Sequence, residues 1–118
     1  MIAGKLTPRF KLWLNGPGVE GVFGDGKCRL LEHIETKKSL RAASDALHIS
    51  YRKAWGDLRK AQNALGVTLI EQHRGGRQGG RTVLTEQGKR WLQAYGCFRR
   101  EIEAAVQASF EKFFREVG

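Results

Sequence analysis

The stretch "SLRAASDALHISYRKAWGDLRKAQNALG", residues 39–66, contains two amphipathic helix patterns joined by a very short link. Ser39 is the predicted N-cap of the first helix, whose apolar face is formed by Leu40, Ala43 and Leu47. Ser50 is the predicted N-cap of the second, in which the apolar residues follow the spacing i, i+4, i+7, i+11: Ala54, Leu58, Ala61 and Leu65. Because so short a link cannot lay two helices antiparallel side by side, we expect them to cross steeply. This arrangement is a helix-turn-helix.

A glycine- and arginine-rich stretch, "HRGGRQGGR" (73–81), follows the second helix. It lies between two short strand candidates, "VTLIEQ" (67–72) and "RTVLT" (81–85). Glycines allow positive φ at the tip of a long hairpin, and the arginines place cations where the hairpin can lie against phosphates. A helix-turn-helix followed by such a hairpin is a winged helix.

The segment before the motif predicts a strand and a helix. "LTPRFKLWLN" (6–15) alternates apolar and polar residues as a half-buried strand does, and the following glycines supply turns and a second short strand. A helix should begin near Asp25 or Gly26 and end by Lys37–Lys38. The predicted fold class is mainly α with a small β component, with a winged-helix DNA-binding domain over 1–85 and a dimerisation helix over 86–118.

The net charge of the chain indicates which class of partner to expect. The 118 residues contain 21 Lys and Arg against 12 Asp and Glu, a net charge of +9, and five of these nine charges fall within residues 50–85. Such an excess favours a polyanion, most often nucleic acid. No apolar run approaches the ~18 residues that span a bilayer, and no signal peptide is present, so we expect a cytoplasmic protein without membrane contact.

The sequence predicts no cofactor and no metal site. Cys28 and Cys97 lack metal-ligand spacing and are interpreted as free thiols, and the three histidines show no zinc spacing. "GVFGDGKC" (21–28) nearly matches a phosphate-binding loop. However, Cys28 replaces the magnesium-binding hydroxyl, and no parallel sheet follows. We therefore expect a turn leading into a helix, and no enzyme.

The N-terminal turn of the second helix of the motif normally reaches base edges. Candidates for base readout are therefore Ser50, Tyr51, Arg52 and Lys53. Candidates for contact with the DNA backbone are Ser39, Arg59, Lys60, Arg74, Arg77 and Arg81. Trp55 neighbours the apolar face, so core packing is favoured over DNA contact. The alternative for the helix cations is an ordinary solvated face.

The last predicted helix is capped by Thr85 and extends toward residue 117. Its apolar residues recur at steps of about four and three over more turns than one domain needs. They predict a homodimer interface formed by Trp91, Tyr95, Phe98, Ile102, Val106, Phe110 and Phe113. The alternative is a long helix lying across its own domain.

Three segments resemble the N-terminal DNA-binding domain of the molybdate-responsive (ModE-like) transcriptional regulators, which is related to that of the LysR-type regulators. They are "ISYRKAWGDL" (49–58), "GGRQGG" (75–80) and "VLTEQGKRWLQAY" (83–95), and the resemblance covers roughly residues 25 to 110. It implies a homodimer on operator DNA, with the second helix of the motif in the major groove. By position, residues 50–53 match the start of the family's recognition helix, and 74–81 match its wing.

The family's oxyanion-binding domains have no counterpart in the sequence, so molybdate sensing is not carried over. A stand-alone DNA-binding protein and an excised domain both stay open, as does a separate effector-sensing partner. Two other function classes stay open as well. The arginine-glycine stretch resembles RNA-binding segments, and a winged helix that no longer contacts DNA would be a protein-interaction module.

Overall fold

The computed structural model describes residues 5–75 and 80–117. Eight elements follow along the chain: β1 (Trp13–Gly16), β2 (Val19–Gly24), α1 (Asp25–Lys37), α2 (Leu40–Ala46), α3 (Tyr51–Leu65), β3 (Ile70–His73), β4 (Arg81–Leu84) and α4 (Glu86–Phe114). The strands form two separate antiparallel hairpins, β1–β2 and β3–β4. The predicted fold class is confirmed: a helix-turn-helix, α2–α3, followed by a β hairpin and a long C-terminal helix.

The helix-turn-helix begins and ends at the residues that the sequence predicts. The Ser39 hydroxyl accepts a hydrogen bond from the N–H of Ala42, and the Ser50 hydroxyl accepts one from the N–H of Lys53, each 3.0 Å long. Both bonds satisfy main-chain donors that the first helical turn leaves free. Gly66 ends α3 with φ of 70°, a left-handed conformation that glycine adopts without steric cost.

The core lies between α1, α2 and α3. Leu31 and Ile34 of α1 and Leu58 of α3 are fully buried. Ala43, Ala54 and Ala61 are also fully buried, and their small side chains allow the close helix crossing. Trp55 is half-buried and packs against this core, which agrees with its interpretation as a packing residue.

The β3–β4 hairpin is held against the helices by main-chain contacts. The side-chain oxygen of Gln62 accepts hydrogen bonds from the N–H groups of Leu69 and Ile70, at 2.8 and 3.3 Å. On the other strand, the N–H of Thr82 donates to the carbonyl of Lys38 at 2.9 Å. The hairpin therefore has a fixed position relative to the N-terminus of α2 and the C-terminal part of α3.

The structure shortens the predicted N-terminal strand. Only Trp13–Gly16 pairs with β2, because β2 ends at Gly24 and α1 begins at the next residue, leaving earlier residues without a partner strand. Side chains bind their main chain instead. Asp25 accepts from the N–H of Leu12 at 3.0 Å, and the Arg99 guanidinium donates to the carbonyl of Phe10 at 3.2 Å.

The structure also corrects one residue of the predicted dimer interface. Tyr95 is 3% exposed within its own chain, so it has almost no surface left for a partner. Its ring lies 5.2 Å from that of Phe23, and the Trp91 ring lies 5.3 Å from the same side chain. The first turns of α4 thus cover the domain's own core. An apolar stripe that leaves this core begins only at Phe98, which is 43% exposed.

Candidate nucleic-acid interface

The outward face of α3 is the centre of the candidate site. The core residues of α3 follow the spacing i, i+4, i+7, i+11 from Ala54, and the same spacing begun two residues earlier defines the opposite face. That face comprises Arg52, Gly56, Arg59 and Asn63, and all four are exposed. It therefore presents two guanidinium groups, one on each side of a glycine.

The four predicted base-readout residues are brought together at the start of α3, but their side chains are engaged differently. Arg52 is exposed on the outward face. Lys53 forms an ion pair with Asp57 one turn along, with its ammonium 3.0 and 3.3 Å from the carboxylate oxygens. Ser50 caps the helix. Arg52 is consequently better placed than Lys53 to contact a base.

Tyr51 lies beside a cation that the sequence analysis did not single out. The guanidinium of Arg41, an exposed residue of α2, lies 4.5 Å from the centre of the Tyr51 ring. The Tyr51 ring in turn meets Trp55 edge to face, with centroids 6.4 Å apart. Arg41 therefore adds a positive charge next to the start of α3. The sequence could have indicated Arg41, because the predicted N-cap at Ser39 places this residue in the first turn of α2.

The residues predicted to contact the DNA backbone lie on α3, on the wing and at the N-terminus of α2. In the wing, the β3–β4 hairpin with its connecting segment, Arg81 is exposed in β4 and Arg74 is exposed directly after β3. Arg77 lies outside the described residues. Lys60 is exposed on the side of α3 that faces β1–β2, and Ser39 lies half-buried at the N-terminus of α2.

Lys27 is a further cation next to α3. Its ammonium donates to the carbonyl of Gly21 in β2 at 2.6 Å. Burial lowers the pKa of Lys27, and the charges of Lys60 and Lys53 lower it further, while Asp57 acts in the opposite direction. The Lys27 side chain therefore joins α1 to β2, and its charge lies within electrostatic range of α3.

A polar cluster connects α1 with α4. One carboxylate oxygen of Asp25 accepts from the Tyr95 hydroxyl at 2.6 Å and from Arg99 Nε at 2.7 Å. Burial alone would raise the pKa of Asp25, but hydrogen bonds from Arg99, Tyr95 and the N–H of Leu12 outweigh it and lower the pKa from 3.8 to about 2. Burial and the Asp25 carboxylate raise the pKa of Tyr95. Asp25 is thus ionised and fixes the direction in which α4 leaves the domain.

Beyond this cluster, α4 carries an apolar stripe that this chain does not cover completely. Its 29 residues make it about 43 Å long. Phe113 is 65% exposed, and Phe110 stacks on Phe114 with centroids 5.1 Å apart. Ile102 and Val106, which lie on the same stripe between Phe98 and Phe110, are half-buried.

Metal-ligating side chains, thiols and apolar helices were compared over the part of the chain that the structure describes. Within residues 5–75 and 80–117, no group of three His, Cys, Asp or Glu side chains could hold a metal ion. Both cysteines are free, and burial raises the pKa of Cys28 to about 11, so this thiol stays protonated. No helix in the same part of the chain is long and apolar enough to cross a membrane.

The α2–α3 pair, the adjoining β3–β4 hairpin and the basic outward face of α3 define a winged helix-turn-helix protein. The chain belongs to the lysR family of bacterial regulatory helix-turn-helix proteins, whose family model matches residues 26–89. The match begins in α1 and ends in the first turn of α4, so it contains the complete motif and wing.

Curated relatives confirm the resemblance to molybdate-responsive regulators. The molybdenum transport protein ModE of Azotobacter vinelandii is 33% identical over 94 residues, which are 80% of this chain and 35% of that protein. The transcriptional regulator ModE of Haemophilus influenzae is 34% identical over 87 residues, 73% of this chain and 34% of that protein. The chain therefore spans about a third of the length of these relatives.

Solved structures share the fold. The complex of the BenM DNA-binding domain with benA site 1 DNA has a TM-score of 0.55 and 20% identity, covering 71% of this chain and 89% of that chain. The complex of the CbnR DNA-binding domain with DNA has a TM-score of 0.52 and 22% identity, covering 74% and 91%. At these identities the likeness supports the architecture, not the individual contacts.

Proposed function

We propose that this protein is a homodimeric transcriptional regulator that binds double-stranded DNA at specific sequences in the cytoplasm. The observation that carries the proposal is the outward face of α3, where Arg52 and Arg59 are exposed on a helix held rigidly by the helix-turn-helix. An α-helix fits the major groove, and Arg can donate two hydrogen bonds to guanine O6 and N7. Base readout is assigned to Ser50, Tyr51, Arg52 and Lys53, with Arg52 as the main contributor.

Contacts with phosphates position this helix. Arg59, Lys60, Arg74 and Arg81 are exposed on α3 and the wing, and the proposal extends to Ser39 and Arg77. Arg41 joins them, since its guanidinium lies beside the N-terminal turn of α3. Such contacts supply affinity that depends on salt but not on sequence.

Residues 86–118 form the proposed dimerisation helix, and residues 1–85 the proposed DNA-binding domain. The interface comprises the apolar stripe from Phe98 through Ile102, Val106 and Phe110 to Phe113, with Trp91 at its edge. Large exposed aromatic side chains at the free end of α4 are costly in water unless a partner covers them. A twofold axis through this interface would place the two α3 helices on one face of DNA, at inverted half-sites one or more helical turns apart.

The test is selection of binding sequences from a pool of random DNA duplexes at physiological salt. We expect enrichment of an inverted repeat, with a specific Kd on the order of 10⁻⁸ to 10⁻¹¹ M. A parallel titration with random single-stranded and hairpin RNA measures whether the protein binds RNA more tightly than duplex DNA.

Three outcomes distinguish the function classes. An enriched inverted repeat supports a dimeric operator-binding protein. If the protein binds RNA more tightly than duplex DNA, RNA becomes the proposed ligand and the arginine-glycine wing its proposed binding site. Binding to every duplex with equal affinity, declining as salt rises, contradicts sequence-specific regulation, leaves a nonspecific basic protein and favours the RNA-binding or protein-interaction alternatives.

A further inference from the structure

Gly56 occupies the centre of the exposed face of α3, and nothing in the fold requires a glycine there. A Cβ atom built at this position has no neighbouring atom within 4 Å. Its backbone is helical, without the positive φ that Gly66 adopts at the end of α3. Glycine inside a helix is less favourable than alanine by a factor of about five in the folding equilibrium. The residue therefore weakens α3 without relieving any contact in this chain.

The side chains around Gly56 form a depression in the helix surface. Arg59, Lys60, Asn63 and Ala64 line it on α3, and Val19 of the β1–β2 hairpin borders it. Arg52 lies four residues before Gly56 and Arg59 lies three after it, so their Cα atoms lie about 6 and 4.5 Å from that of Gly56 along the helix axis. Because Gly56 has no side chain, the surface of α3 between these two arginines is main chain.

We infer that Gly56 is a specificity-determining residue that lets the main chain of α3 approach the major-groove edge of a base pair directly. This inference rests on the proposed function and adds a residue to it. Without a Cβ, the helix axis can lie closer to the bases between Arg52 and Arg59, so that the Arg52 guanidinium reaches the groove floor while Arg59 stays within reach of the phosphates. A side chain at position 56 would hold the helix away from that floor and lengthen the Arg52 contact.

The experiment compares Gly56→Ala and Gly56→Leu with the parent protein on the selected operator duplex and on an unrelated duplex of equal length. Gly96→Ala in α4 is the matched control, because it also replaces a glycine within a helix. The nearest atom to its Cβ is the end of the flexible Arg100 side chain, at 3.3 Å. Thermal unfolding of all four proteins is measured in the same buffer.

We expect operator affinity to fall in the order Gly, Ala, Leu, with a loss of at least tenfold for the leucine variant. Affinity for the unrelated duplex should change by less than about twofold, because the phosphate contacts persist. Both Gly56 variants and Gly96→Ala should unfold at a temperature no lower than the parent, since each removes a helix glycine. Loss of affinity together with unchanged or increased stability cannot be attributed to misfolding.

Two results overturn the inference, and they differ from each other. If the parent prefers one operator and both Gly56 variants retain that affinity within about twofold, Gly56 has no part in recognition although the proposed function stands. If the parent prefers no duplex sequence, the proposed function fails and this inference fails with it.

Discussion

Replacing Asp25 with Asn tests whether the polar cluster between α1 and α4 stabilises the domain through charge. Asn has nearly the same shape as Asp and can still accept a hydrogen bond from the N–H of Leu12. It removes the negative charge that pairs with Arg99. Its amide nitrogen, which is a donor, then occupies the position of the carboxylate oxygen that accepts from the Tyr95 hydroxyl and from Arg99 Nε.

The magnitude follows from the pKa of Asp25. A decrease from 3.8 to about 2 corresponds to about 2 kcal/mol of stabilisation, at ~1.4 kcal/mol per pH unit. The side chain is 21% exposed, so solvent screens this interaction only modestly. Because the pKa is lower in the folded state, the stabilisation is complete above the unfolded pKa and is lost as pH falls through about 2.

The assay is urea unfolding followed by far-ultraviolet circular dichroism, at pH values from about 7 down to about 2. We expect the free energy of unfolding of Asp25→Asn to lie about 2 kcal/mol below the parent at neutral pH. This difference should shrink as pH falls below 4. The matched control is Glu103→Gln, which removes the other ion pair of Arg99. Because the Glu103 side chain is 50% exposed, that change should cost less than about 0.5 kcal/mol.

Two results would refute the reasoning. One is a difference between parent and Asp25→Asn that stays constant over the whole pH range, since it would show a steric or packing effect without a charge contribution. The other is a neutral-pH loss no larger than that of Glu103→Gln.

Three further predictions follow from the same structure. Gly88→Ala should lower the free energy of unfolding by about 1–3 kcal/mol in urea, because its Cβ would lie 2.1 Å from the carbonyl oxygen of Leu69; stability equal to the parent would show that α4 is not seated this closely on the wing. Arg52→Ala should cost about 1–3 kcal/mol of operator affinity and relax the preference at one base pair, whereas Arg74→Ala should weaken all duplexes equally and reduce the salt slope by about one; fluorescence anisotropy at several salt concentrations separates the two patterns, and equal behaviour of both variants would contradict the division into readout and backbone contacts. Phe113→Ser should shift sedimentation equilibrium toward monomer without lowering monomer stability, because this side chain is 65% exposed; an unchanged oligomeric state would remove the free end of α4 from the dimer interface.

The local elements were predictable because short-range chemistry determines them. Ser39, Ser50 and Thr85 each accept a hydrogen bond from an N–H of the first turn of their helix, and these bonds require only residues three positions apart. The helix-turn-helix of α2 and α3 was predicted from the short link between the two helix patterns. Such features need no knowledge of distant parts of the chain.

Sequence patterns were insufficient where contacts with residues distant in the sequence determine the structure. Residues 6–12 have the alternation of a strand, yet Asp25 and Arg99 from other elements bind the main chain of Leu12 and Phe10. Tyr95 has the spacing of an interface residue, yet Phe23 of β2 covers it. Lys53 stays a predicted readout residue, but its pairing with Asp57 depends on side-chain geometry that a pattern of residue types does not define.

The Asp25 cluster also affects the half-site spacing that the proposed dimer would recognise on DNA. The position of α3 is fixed relative to the start of α1 through the core, and Asp25, the first residue of α1, binds both Tyr95 and Arg99 of α4. The stripe that would meet a second copy begins at Phe98, which lies between Tyr95 and Arg99, and continues to the free end of the helix. Any change in the angle of α4 at this cluster would be magnified along its remaining length, about 24 Å from Phe98 to Phe114. In the proposed dimer, the separation of the two α3 helices, and with it the spacing of the half-sites, would therefore depend on the half-buried carboxylate of Asp25.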